Sequence, residues 1–150
     1  MKISAYRTED AIHIRQILTD VGWDERYIKA FEQAAEHLSQ ESHSAVYLAQ
    51  LSNETAGFIF VEYRTWNRLA QIQGLAVAPS FFRKGVASEL VKKVEDFARS
   101  QQARGIYVDT PINNDRGRRF YESIGYKLGY LMPQYYDDGL DGVTYQKFFY

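Results

Sequence analysis

Arg83, Lys84 and Gly85 are the residues whose types and order most directly suggest chemistry. They follow the apolar run Leu75-Ala76-Val77-Ala78 and a Pro79-Ser80-Phe81-Phe82 turn, and they precede Val86-Ala87-Ser88, which opens a helix. Backbone N–H groups at a helix start lack intrahelical partners and carry the positive end of the dipole, so they bind anionic oxygens without a dedicated side chain. Arg83 and Lys84 add two cations at that place. Gly85 lets the backbone approach a ligand, while Ala87 and Ser88 keep the first turn slim. Such a segment is a phosphate cradle. It is neither a P-loop, which needs Gly, four residues and Gly-Lys-Ser/Thr, nor a dinucleotide loop with its three glycines. Taken alone it reads equally as an ordinary strand-to-helix junction with one glycine.

Further along, Asn114 is followed by Phe120-Tyr121-Glu122-Ser123-Ile124-Gly125-Tyr126. With Val77-Ala78-Pro79 and the Arg83-Lys84-Gly85-Val86-Ala87 turn, this order and spacing resembles the GNAT superfamily of acyl-CoA-dependent N-acyltransferases. The two segments match its pyrophosphate-binding motif and its Asn…Phe-Tyr-Glu-x-x-Gly-Phe motif. The likeness is close from Ala70 to Tyr126 and elsewhere extends to the order of elements. One position departs: the family's usual Gln or Arg three residues before the glycine is here Phe82, so its contribution is either absent or supplied by Arg83 or Lys84.

The resemblance implies an α/β (α+β) GNAT fold, a mixed central sheet of about seven strands flanked by about four helices. It also implies acetyl-CoA as co-substrate, with no metal, held by Leu75, Ala76, Val77, Arg83, Lys84, Gly85, Val86, Ala87, Ser88 and Asn114. For Asn114 a plain helix N-cap is the competing reading.

Amide formation sets the remaining roles. An alkylamine has a pKa near ~10.4 and attacks a thioester only when neutral, so a base must take a proton. The expelled thiolate leaves faster if an acid protonates it, and the tetrahedral oxyanion needs a positioned donor. By the resemblance Tyr121 is the acid, with a core aromatic beside Phe120 as its alternative. Asp109 corresponds to the acidic residue that acts as base in the ribosomal-protein alanine N-acetyltransferase subgroup; otherwise it caps the loop before Pro111. Glu62 or a relayed water competes for that role. The oxyanion donor would be a backbone N–H near Val77, where the family's strand is splayed.

The elements that must position these groups alternate along the chain. Lys2 to Tyr6 reads as a strand, Thr8 as the N-cap of a helix to about Val21, and Asp24 as the cap of a second helix whose Tyr27, Ile28, Phe31, Ala35 and Leu38 share a face. Strands follow at Ala45–Leu51, Gly57–Tyr63 and Gln71–Val77. The stripe of Val86, Leu90, Val91, Val94, Phe97 and Ala98 marks a helix. Ile106–Asp109 is a strand, Asp115–Ile124 a helix, and Tyr126–Tyr136 with Val143–Phe149 are the last strands, separated by the Asp137-Asp138-Gly139 turn signal.

Acceptor contacts are expected at Trp23, Tyr27, Tyr135 and Tyr136. The Tyr135-Tyr136 pair and the acidic residues after it resemble the peptide entry of N-terminal protein acetyltransferases, although paired tyrosines also suit an exposed strand. Asp24 and Trp66 fall in elements that border the acceptor cleft in the family, where aromatics and carboxylates suit an amine.

With 150 residues and 45% hydrophobic content, one core and one domain are expected. A net charge of −1 without a dense basic tract argues against nucleic acid as a partner. No cysteine is present, which excludes disulfides and a cysteine acyl-enzyme, and His13, His37 and His43 are scattered. No stretch reaches the ~18 apolar residues of a membrane span, so a cytoplasmic location is expected. A homodimer stays open. These readings converge on an N-acetyltransferase that moves acetyl from acetyl-CoA to a primary amine in a ternary complex, the acceptor being a protein N-terminus or a small amine. The alternative is an acyl-CoA-binding sensor or scaffold domain without turnover.

Overall fold

The computed structural model describes residues 1–150. Its elements run β1 (Lys2–Ala5), α1 (Ala11–Asp20), α2 (Glu25–Leu38), β2 (Ser44–Leu51), β3 (Glu54–Arg64), β4 (Leu69–Val77), α3 (Val86–Ser100), β5 (Gly105–Pro111), α4 (Asp115–Ser123), β6 (Lys127–Met132) and β7 (Gly142–Phe148). They form a seven-stranded sheet in the order β1-β2-β3-β4-β5-β7-β6. Every pairing is antiparallel except β4 with β5. This is the mixed sheet with four helices expected from the sequence.

Helices cover both faces. Phe58 and Phe60 of β3 stack on each other and meet Phe31 of α2, whereas a Cβ at Gly57 would meet Val86 and Leu90 of α3. Adjacent strand residues point to opposite faces, so α2 lies on one side and α3 on the other. That explains why β3 is buried from Ala56 to Val61 without alternation.

Three of the boundaries that differ from the sequence reading have a visible cause. Thr8 caps nothing: it stands in a short 3-10 turn, and its hydroxyl donates to Glu36 at 2.8 Å. Strand β3 begins at Glu54, because Ser52 and Asn53 both take positive φ and close a two-residue hairpin. Strand β6 stops at Met132, before Pro133, which has no N–H to give a ladder, and Gln134, which takes φ 52°. Tyr135 and Tyr136 therefore sit on the connecting segment and not on a strand.

The feature that positions the site is a split in the sheet. Strand β4 pairs with β5 only from Leu69 to Ile72. At Gln73 a bulge interrupts the register with β3, where Phe60 faces Gly74 and Val61 faces Ile72. Beyond that kink β4 leaves β5 and its edge is open.

Candidate active site

The split divides two cavities. Below the end of β4 lies the cradle, about 440 Å³, lined by Leu75, Ala76, Val77, Arg83, Gly85, Val86, Ala87 and Ser88 as expected. Gly85 is the N-cap of α3 with φ 80°, and a Cβ there would meet nothing within 4 Å. The glycine thus supplies a left-handed turn and leaves the helix N-terminus uncovered. Lys84 is outside the lining, its ammonium 5.7 Å from the centre of the Phe81 ring. Asn114 is outside too. It caps α4: its Oδ1 accepts from the Gly117 N–H at 3.1 Å and its Nδ2 donates to Thr110 at 2.9 Å, so both ends of the amide are engaged within the protein.

A cation that sequence reasoning missed completes the cradle. The Arg116 guanidinium of α4 lies 3.5 Å above the Phe82 ring, and both residues line the cavity. The aromatic at the departing position is therefore a shelf for a cation brought from another helix. Only the Arg-rich start of α4 hints at this, and nothing in the spacing pairs Arg116 with Phe82.

Above the split is a larger cleft of about 1130 Å³. Trp23, Tyr27, Tyr135 and Tyr136 all line it, with Asp24, Asp109, Asp137 and Asp138, and no lysine, arginine or histidine does. The segment after β6 is tied across the cleft to α2: Tyr27 donates to the Asp137 carboxylate at 2.6 Å, and Arg26 reaches the same carboxylate at 2.8 Å. Tyr135 packs on Gly142, where a Cβ would lie 3.0 Å from the ring. Trp66 does not border the cleft. It occupies the tip of the β3–β4 hairpin, 82% exposed and outside both cavities.

Tyr121, with Trp23 and Leu75, lines both cavities and so stands at their junction. Its ring packs among Phe120, Tyr126 and Tyr145. Burial pushes its phenol well above the ordinary value, with a smaller push from Tyr136, and no hydrogen bond holds the hydroxyl. A phenol in that state keeps its proton at neutral pH and has it free to give.

Asp109 of β5 faces the cleft. Its Oδ1 accepts from Thr144 at 2.8 Å, and its Oδ2 accepts from Gln71 at 3.2 Å and from Tyr135 at 3.4 Å. Its charge helps raise the phenols of Tyr107, Tyr135 and Tyr136, where burial is the larger cause. Glu62, the competing base, is outside the cleft lining and is held by Arg64 at 2.9 Å and Gln73 at 2.8 Å. No group of carboxylates and histidines is arranged to hold a metal.

Residues 9–126 match the family model described as the acetyltransferase (GNAT) family. The streptothricin acetyltransferase of Escherichia coli is 33% identical over 106 residues, 71% of this chain and 55% of that protein. A second streptothricin acetyltransferase, from Streptomyces lavendulae, is 28% identical over 77% of this chain and 56% of its own. The chain thus spans little more than half the length of these relatives. Among solved structures, the ribosomal-protein-S18-alanine N-acetyltransferase of E. coli superimposes with a TM-score of 0.78 at 19% identity, over 97% of this chain and 91% of that one. At that identity the likeness is one of fold.

Proposed function

This chain belongs to the acetyltransferase (GNAT) family, and from that premise we propose that it transfers acetyl from acetyl-CoA to a primary amine carrying positive charge. The observation that carries the proposal is the sign of the two cavities that meet at Tyr121. The cradle presents Arg83, Arg116 and a helix N-terminus and no carboxylate, which suits the donor's phosphates. The cleft presents four aspartates and no basic side chain, which suits an ammonium acceptor.

In this reading the acceptor enters as an ammonium and Asp109 takes a proton, directly or through one water. The neutral amine then attacks the thioester carbonyl. A C–N bond forms, backbone N–H groups on the open edge of β4 receive the oxyanion, and the C–S bond breaks as Tyr121 gives its proton to the sulfur; the second proton of the amine nitrogen leaves as the amide forms and restores the Tyr121 phenol, while Asp109 returns its own proton to solvent. The chain acts as one domain, and the names of its relatives keep both a small-molecule amine and a protein N-terminus among the acceptors.

Two measurements test this. Acetyl-CoA at 100 times its dissociation constant should stabilise the fold by about 2.7 kcal/mol in thermal or denaturant unfolding. A panel of oligoamines, aminoglycosides, streptothricin-type amines and N-terminal peptides should yield an acetylated product. Absence of any acetyl-CoA effect on unfolding removes the donor reading, whereas stabilisation without product from any amine identifies a sensor without turnover.

A further inference from the structure

We propose that Gln71 is the positioning residue of the Asp109 carboxylate, and that Arg64, anchored by Glu62, fixes Gln71 in the orientation that does this. The inference rests on the reading of Asp109 as the base.

The network begins with placement. Phe58, Phe60, Glu62 and Arg64 share one face of β3, and the aromatic pair is covered by α2. The strand partners bring Gln71 beside Glu62 and Tyr107 beside Gln71, and Asp109 lies two residues beyond Tyr107 on the same side. Strand β7 adds Thr144 opposite Asp109. A row of polar side chains thus crosses four strands on one face of the sheet.

Within the row, chemistry permits one orientation of the amide. A guanidinium only donates, so the Gln71 oxygen must face Arg64, whose Nη1 lies at 2.9 Å. That turns the Gln71 amide nitrogen, which only donates, toward Asp109 Oδ2 at 3.2 Å. Arg64 is fixed in turn by Glu62 at 2.9 Å and donates to the Tyr107 hydroxyl at 3.1 Å. Glu62 also takes the amide of Gln73, the bulge residue that opens the split. The two carboxylates that competed for the role of base are therefore the two ends of one chain: Glu62 is spent on holding Arg64, and Asp109 is the end that reaches the cleft.

Asp109 is bonded by Gln71 from β4, Thr144 from β7 and Tyr135 from the segment after β6, and its charge acts on Tyr107 of its own strand and on Tyr136; Arg64 from β3 and Tyr130 from β6 act in turn on the neighbouring Tyr107. Asp24, Asp137 and Asp138 share the cleft with it. Replacing the Gln71 amide nitrogen by a carboxylate oxygen would put a second negative charge against Oδ2, which favours protonation of Asp109.

The test is Gln71→Glu, read by the carboxyl carbon-13 resonance of Asp109 in the free protein and by the pH profile of kcat/KM. The expected result is an upward move of the Asp109 midpoint, and of the acidic limb with it, by about one pH unit or more. Gln71→Met removes both polar ends at similar length. It should lower kcat about ten-fold in the native background and leave kcat unchanged when Asp109 is already Asn, because it acts only through that carboxylate. An Asp109 midpoint unmoved by Gln71→Glu, or an equal kcat loss from Gln71→Met in both backgrounds, overturns the proposal. Failure of the base reading looks different: Asp109→Asn itself would keep the full kcat/KM and its acidic limb, while Gln71→Glu still moved the resonance.

Discussion

The two cavities that meet at Tyr121 are built in opposite ways. The cradle comes mainly from one continuous stretch, Leu75 to Ser88, joined by α4 and by Val21 and Trp23, and its binding groups are largely backbone N–H and two arginines. The cleft draws on the start of α2, the bulged part of β4, the end of β5, Tyr121 and the 133–141 segment, and its binding groups are side chains. A cradle made of backbone accepts one ligand chemistry and tolerates many sequences. A cleft made of side chains from separate elements can change its acceptor by single substitutions while the donor site stays as it is. Variants of this protein should therefore divide into those that act on the donor, those that act on the acceptor, and those at the junction that act on neither affinity but on rate.

The largest expected effect is at the cradle. Gly85→Val places a β-branched residue at φ 80° and a side chain where the cradle is open. The strain costs about 1–2 kcal/mol, and the added carbons block approach to the helix N-terminus. Acetyl-CoA should no longer raise the melting temperature. Gly85→Asn, which tolerates that backbone conformation, separates the two causes. It should fold like the native chain and still bind acetyl-CoA weakly, and a normal affinity in it would assign the valine effect to strain alone.

At the junction, Tyr121→Phe keeps the ring and its packing and removes only the proton. A fall of roughly 10²-fold in kcat with an unchanged KM for acetyl-CoA is the expected result, from steady-state kinetics. Native kcat would make Tyr121 a packing residue. The same variant carries a pH signature. The phenol is raised in the folded state, so the unfolded chain loses its proton first, near pH 10, and above that pH the native state binds more protons than the unfolded one. Stability from this group is intact below pH 10 and declines as pH rises beyond it. Tyr121→Phe should flatten that alkaline decline, leaving the share of Tyr6, Tyr126 and Tyr136, whose phenols burial also raises.

Arg116→Ala tests whether the cradle owes a cation to a second element. The guanidinium lies over Phe82 at the rim, so its removal should weaken acetyl-CoA about five- to ten-fold and leave the amine KM alone. Calorimetric titration with acetyl-CoA reads the first quantity. An unchanged affinity would mean that the chain does without the side chain that Phe82 replaced.

How much of this was legible in the sequence follows the same division. The cradle is local, so most of its lining and the turn at Gly85 lie in one stretch that order and spacing single out, although Lys84 and Asn114 fall outside the lining and Arg116 was missed. The order of elements was legible too, because apolar stripes and turn signals are also local, whereas the mixed sheet that joins them came from the resemblance to the family. Members of the cleft were recognisable singly as aromatics and aspartates, but their meeting depends on the bulge at Gln73, which no residue type announces. High β-propensity extended the sixth strand through Tyr135 and Tyr136, whereas Pro133 and the positive φ of Gln134 ended it. Trp66 was expected near the cleft because its hairpin borders it by element order, yet the hairpin tip points away. Gln71 and Thr144 escaped notice because a neutral polar residue in a strand carries no signal until its cross-strand partners are known.

The smallest expected effect concerns the strap over the cleft. Asp137 is held by Tyr27 and Arg26, and all three are substantially exposed, so solvent screens the pair and its contribution to stability is small. Asp137→Asn keeps the shape of the side chain and removes its charge. Two consequences act in the same direction: the segment 133–141 is held less firmly to α2, and one of four carboxylates that attract the acceptor is gone. Both raise the amine KM, together about three- to five-fold, and neither touches acetyl-CoA affinity or the kcat that the proposal assigns to Tyr121 and Asp109. Salt decides between them. If attraction dominates, the native protein's amine KM rises with ionic strength and the variant's rises less. If the tether dominates, the two respond alike, and the cleft owes its acceptor preference to Asp24, Asp109 and Asp138. An amine KM unaffected by Asp137→Asn at low salt would place the strap outside acceptor binding and weaken the contrast between a backbone-built donor site and a side-chain-built acceptor site.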